Sequence, residues 1–131
     1  MASQRADDAR RRIELEEQDR RREGAAAQVL IDGFVVAARD RGIATEPLIA
    51  QLLDGHTART DRHGWYLNAS HSLAIGENGE YFQLVVAGGF RERLRGVRLE
   101  TSLPPLHVGR GGRDGETGYL KEFLAWRLAA G

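Results

Sequence analysis

Residues 109–118 read Gly-Arg-Gly-Gly-Arg-Asp-Gly-Glu-Thr-Gly, the densest mixture of glycine and charge in the chain. Glycines let a backbone come close to an anion, and guanidinium groups offer forked donors to phosphate or carboxylate. A helix starting just after such a loop adds a partial positive charge at its N-terminus. Arg110, Gly111, Gly112, Arg113, Asp114 and Glu116 are therefore the candidate ligand-binding residues. The loop lacks the Lys-Ser/Thr pair of a Walker motif, and it lacks the glycine spacing and downstream acid of a dinucleotide fingerprint. Its structural alternative is a tight connector in which Asp114 or Glu116 pairs with an arginine of the same loop.

A second basic cluster, Arg91, Arg93 and Arg95, lies between Gly88-Gly89 and Gly96, with Arg98 just beyond. Other groups offer less. Asp114, Glu116 and nearby carbonyls do not follow the alternating oxygen-ligand spacing of a calcium loop, so no metal is expected. His56, His63, His71 and His107 show no i,i+4 pairing of the kind that holds zinc on a helix. They read as surface histidines. Ser70 beside His71, and Ser102 near His107, lack a nucleophile elbow, so no catalytic residue is assigned and no cofactor is implied.

Composition narrows the classes further. The chain has 131 residues, no cysteine, and 19 basic residues against 19 acidic ones. That length holds one hydrophobic core. Zero net charge gives no global field toward nucleic acid or an anionic membrane, so such a partner would have to be met by a local patch. Absence of cysteine excludes disulfides and thiolate chemistry and suits a reducing compartment. With no apolar leader in residues 1–12 and no apolar run of spanning length, the expected location is the cytoplasm and no membrane partner is expected.

The elements that would position these groups follow from periodicity. Residues 3–23 are nearly all charged, with Ile13 and Leu15 the sizeable apolar side chains. Asp7–Arg11, Asp8–Arg12, Glu16–Arg20 and Glu17–Arg21 are acid-before-base pairs at helical spacing, so residues 1–23 read as a solvated helical arm and residues 24–131 as one α+β domain. Ala27, Leu30, Ile31, Phe34, Val35 and Ala38 form a helical stripe that Gly42 ends. Thr45-Glu46-Pro47 reads as a new helix start, with a strand as the alternative. From Gly64 the period changes to short aromatic and branched runs: 65–67, 73–75, 81–86, 97–101 and 106–108. Asn78-Gly79 suits a two-residue hairpin loop between the second and third of these runs. Thr117 caps a last helix with Leu120, Phe123, Leu124 and Leu128 on one face, flanked by Tyr119 and Trp126. The expected fold is α+β: one or more N-terminal helices, an antiparallel meander of about four to five strands, and a C-terminal amphipathic helix packed on the sheet.

Trp65-Tyr66-Leu67 resembles the tripeptide that names the WYL ligand-sensing domains, but only over those residues and without that family's downstream arginine pattern; here it reads as sheet core. More broadly, the chain from Gly64 through Pro104-Pro105 and the 109–116 loop to Leu128 is similar to a family of small proteins of GC-rich bacteria. No activity is established for that family, so the resemblance implies no function. On the residues alone the favoured reading is a non-enzymatic binding or accessory protein that meets an acidic small molecule or protein through the arginine and glycine loop. The alternatives are an enzyme of phosphorylated or carboxylated small molecules with His71 or His107 as acid-base group, and a nucleic-acid binder using Arg91, Arg93, Arg95 and Arg98, which the zero net charge disfavours.

Overall fold

A computed structural model describes residues 2–109 and 117–131 of the chain. Helix α1, Ala2–Asp40, runs for 39 residues. Through residue 22 every side chain is exposed, because the charged sequence gives it nothing to bury. The helix passes Gly24 without a break, and that glycine has a packing role. A Cβ there would lie 2.6 Å from Leu103 Cδ1, so Leu103 sits directly on the helix backbone. Beside it the Leu106 N–H donates to Glu23 Oε1 at 2.8 Å. From here the apolar stripe turns inward, burying Ala27, Ile31, Phe34 and Ala38. Gly42, at φ +70°, ends the helix: its N–H bonds Arg39 O and the Ile43 N–H bonds Ala38 O, which satisfies two otherwise orphaned carbonyls.

The sheet contains β1 (Glu46–Leu52), β2 (Thr57–Tyr66), β3 (Leu73–Gly76), β4 (Tyr81–Gln83) and β5 (Val85–Val86), in the order β4-β3-β2-β1-β5. The first four strands pair antiparallel as a meander. Strands β4 and β5 are one stretch of chain interrupted at Leu84, whose N–H donates to Ser72 O at 2.8 Å and whose carbonyl accepts the Gln51 N–H at 2.7 Å. Beyond Leu84 the chain pairs parallel to β1, so the two ends of the sheet meet at this residue and the sheet closes on itself. Within residues 81–86, Phe82 and Leu84 fill the inner face and Tyr81 packs on the outer one, while Gln83 and Val85 of that outer face are exposed.

Two apolar clusters divide the core between the faces of this sheet. Trp65, Leu67, Leu73, Ile75 and Tyr81 point outward to Ile31 and Phe34 of α1 and to Leu120 and Leu124. Trp65 meets Phe34 edge-on at 5.6 Å, and its Nε1–H donates to Ile43 O at 2.9 Å. Leu48, Tyr66, Ala74, Phe82, Leu84 and Leu99 fill the inner side. The period of two along each strand produces this division.

Helix α2, Phe90–Arg95, follows the sheet. The two-residue strands β6 (His107–Val108) and β7 (Gly118–Tyr119) then pair antiparallel, and α3, Leu120–Ala130, ends the chain. It buries Leu120 and Leu124, with Phe123 and Leu128 partly covered, as the periodicity expects. The helix begins at Leu120 rather than beside Thr117, because residues 118 and 119 are held extended in the β6–β7 ladder.

Several local readings change. The Glu46–Leu52 segment is a strand, not a helix start: pairing with β2 and residues 84–86 outweighs the N-terminal signal of Pro47. Residues 97–101 form only a parallel bridge from Val97 to Thr60, although Leu99 points inward as its alternation implies; its N–H goes to Asp61 Oδ1 at 3.0 Å instead of to a ladder. The β3–β4 loop spans Glu77, Asn78 and Gly79, because Gly76 N–H pairs with Glu80 O and only Gly79 of the three takes a positive φ, +86°. Among the described residues no helix is long and apolar enough to cross a membrane.

Candidate functional site

Among the described residues, arginines converge where α2 crosses the start of β2. Gly96 makes this crossing possible. It has φ +87°, which side-chain-bearing residues rarely adopt, and a Cβ there would lie 3.1 Å from Arg59 O, so any other residue would be strained and tightly placed against the strand. With glycine in place, Val97 N–H donates to Arg59 O at 2.8 Å and Arg59 Nη2 donates to Leu94 O at 3.2 Å, which ties the end of α2 to β2. The result is an open groove of about 410 Å³ lined by Arg59, Thr60, Asp61, Arg95, Val97 and Arg98.

Three arginines and one aspartate thus line the groove. Asp61 is already engaged, accepting the Leu99 N–H and lying 3.9 Å from Arg62 Nε. Among the described residues neither Arg95 nor Arg98 forms a salt bridge, so the groove holds an excess of positive charge with forked donors.

Helix α2 buries none of its side chains. Phe90 is 68% and Leu94 61% exposed, four residues apart on one helical side, and Arg93 Cζ lies 5.6 Å over the Phe90 ring. At the other end of the helix Glu92 accepts the Gly89 N–H at 2.8 Å, satisfying a donor that α2 itself leaves unpaired. That bond, with further help from its own N–H and from Arg91, holds the Glu92 carboxyl below its ordinary value against a smaller opposing effect of desolvation. Asp54 in the β1–β2 turn is lowered chiefly by the His56 N–H.

The outer face of the sheet continues from this groove. Arg59 stands opposite Ile49 across the β1–β2 ladder, and Gln51 stands between Thr57 and Val85, all pointing away from the core. Gln51 Nε2 donates to the carbonyls of Ser70 at 2.6 Å and His71 at 3.2 Å, which fastens the β2–β3 loop to this face. Asn68, buried in that loop, accepts the N–H groups of Ser72 and Leu73 and donates to Ser72 Oγ. These bonds hold His71 at φ +57°, the single left-handed residue other than glycine among those described. Its ring stacks on Tyr66, with centroids 3.9 Å apart and planes 7° from parallel. The Tyr66 hydroxyl in turn accepts the Ile49 N–H at 2.9 Å.

Of the residues expected from sequence, Arg91, Arg93 and Arg95 lie on α2, with Arg95 lining the groove. Arg110, Gly111, Gly112, Arg113, Asp114 and Glu116 lie outside the described residues; they connect β6 to β7 in the chain. The four histidines occupy separate segments: His56 beside Asp54, His63 opposite Pro47, His71 on Tyr66 and His107 edge-on to Tyr119 at 5.2 Å. Among the described residues no three metal-ligating side chains gather. Arg59 and the stacked face of His71 were not visible in the sequence, since residues 57–62 carry a single apolar residue, Ala58, and gave no strand signal.

The sequence matches no protein-family model, no curated protein and no solved structure.

Proposed function

We propose that this protein is a non-enzymatic binding module that recognises an acidic ligand or partner through the arginine surface formed by α2 and the start of β2. The observation that carries the reading is the groove lined by Arg59, Arg95 and Arg98 with a single, already engaged carboxylate among its lining residues. The Arg59 guanidinium is held by the Leu94 carbonyl, so it can meet phosphate or carboxylate with little loss of side-chain freedom, and Arg95 and Arg98 add forked donors beside it. Arg110 and Arg113 are retained as a second anion contact on sequence grounds.

The test is a thermal-shift screen with inorganic phosphate, polyphosphate and dicarboxylates, followed by titration of the best anion at two salt concentrations. An anion that binds only the folded state at 100 times its Kd stabilises by about 2.7 kcal/mol, well above the resolution of such a screen. Arg95→Ala/Arg98→Ala is expected to weaken binding about tenfold or more, with a shallower salt dependence. Unchanged binding in that variant overturns the assignment of the groove.

A further inference from the structure

The geometry points to a single-stranded nucleic acid as the ligand of this surface, with phosphates on the arginine groove and a base on the exposed face of His71; the inference rests on the anion-binding reading above. A site for a small anion is usually a concave pocket that encloses it, whereas this groove is open and adjoins the outward side chains of β1 and the start of β2. Such a surface, with arginines in the groove and the His71 ring linked to β1 through Tyr66 and Gln51, suits a polymer that lays charge in one place and planar groups in another.

His71 supplies the planar contact. One face of its ring lies on Tyr66, and the residue as a whole is exposed. The stack is anchored from below, because Tyr66 is buried and its hydroxyl holds the Ile49 N–H directly across the ladder from Arg59. Gln51 fixes the His71 carbonyl to the same face. The left-handed backbone of His71 is costly for a non-glycine residue, and residues held so are found disproportionately at ligand sites. Phe90, exposed on the same short helix as the groove-lining Arg95, offers a second ring. A duplex is disfavoured because its bases are already stacked on one another and have no face to offer.

The experiment is fluorescence anisotropy with a labelled oligothymidylate of about 12 nucleotides, competed by inorganic polyphosphate of matched charge and by duplex DNA. Wild-type protein is expected to prefer the oligothymidylate to both. His71→Gly suits the left-handed backbone and removes only the ring; it is expected to weaken oligothymidylate binding by about tenfold while leaving polyphosphate binding unchanged. Phe90→Ala, which truncates a ring that is not part of the core, is expected to act in the same direction. Arg95→Ala/Arg98→Ala is expected to reduce both. Equal binding of polyphosphate and oligothymidylate, with His71→Gly and Phe90→Ala both silent, overturns the nucleic-acid inference and leaves the anion site standing. Preference for duplex also overturns it, and failure of every polyanion to bind overturns both readings.

Discussion

The imidazole of His71 lies flat on the phenol of Tyr66, centroids 3.9 Å apart, while the His71 backbone sits at φ +57°. Two opposed effects therefore act at one residue. Left-handed backbone costs a non-glycine residue about 1 kcal/mol, and an aromatic stack returns about 0.5–1.5 kcal/mol. Replacement by alanine keeps the strain and loses the stack, so His71→Ala is expected to destabilise the fold. Replacement by glycine loses the stack but relieves the strain, so His71→Gly is expected to be more stable than His71→Ala by about 1 kcal/mol. Urea denaturation of the two variants measures this difference, and the reverse order would show that Asn68 and Gln51 do not impose the backbone conformation.

Gly64 lies where β2 passes from its partner β1 to its partner β3. A Cβ at this position would fall 2.1 Å from Ile75 O and 2.9 Å from Gly76 Cα, both of them backbone atoms that cannot rotate away. Gly64→Ala is therefore expected to force the β2–β3 ladder apart and to destabilise by about 3 kcal/mol. Trp65 follows directly and anchors the helical layer, so the same variant is expected to red-shift and broaden tryptophan fluorescence. A melting temperature equal to wild type would show that the strands can separate there without cost.

The fold was most legible where period and burial coincide. Ala27, Ile31, Phe34 and Ala38, and later Leu120 and Leu124, announce helices because one stripe of each faces a single layer. Leu48, Ala50 and Leu52 also alternate correctly for β1, but Ile49 and Leu53 overlay a helical spacing on the same residues, and only pairing on both sides decides between them. The first half of β2 is polar on its outer face and left no apolar run, so Arg59 could not be placed beside Arg95 and Arg98. Arg91, Arg93 and Arg95 were visible because glycines bracket them. The conformation of His71 depends on bonds that the side chain of Asn68, three residues earlier, accepts from the Ser72 and Leu73 amides, a geometry that composition does not report.

Helix α2 is expected to respond to acid before the rest of the fold. Glu92 and Asp54 each have a folded-state pKa below the ordinary carboxyl value, Glu92 mainly through the Gly89 N–H and Asp54 mainly through the His56 N–H. A carboxyl depressed in the folded state binds its proton more readily when unfolded. Its contribution is present above the unfolded pKa and is lost as pH falls through the folded pKa. Acidification through the carboxylate range should therefore raise the exchange rate of the Gly89 amide and fray α2 while the buried ladders of β1 and β2 persist. Glu92→Gln keeps an oxygen able to accept the same bond and is expected to make α2 insensitive to pH at this end, whereas Glu92→Ala should fray it at every pH. Hydrogen exchange measured against pH distinguishes the three proteins.

Gly24 poses a contest between helix propensity and packing. In a helix interior, glycine to alanine is worth about 1 kcal/mol of stability. Against this, the added Cβ would meet Leu103 Cδ1 at 2.6 Å and Cγ at 2.8 Å. Leu103 is 58% exposed, so its side chain has solvent to turn into, and the neighbouring bond from Leu106 N–H to Glu23 Oε1 holds the segment on α1 independently. Gly24→Ala is therefore expected to melt at or a few degrees above the wild-type temperature, consistent with about 2–8 °C per kcal/mol. Gly24→Leu, too large for the side chain of Leu103 alone to accommodate, is expected to lift residues 103–106 from the helix, break the Glu23 bond and expose the Leu106 amide to exchange. If Gly24→Ala also released that amide, the contact between this segment and α1 would depend on direct seating of Leu103 on bare backbone rather than on the Glu23 carboxylate.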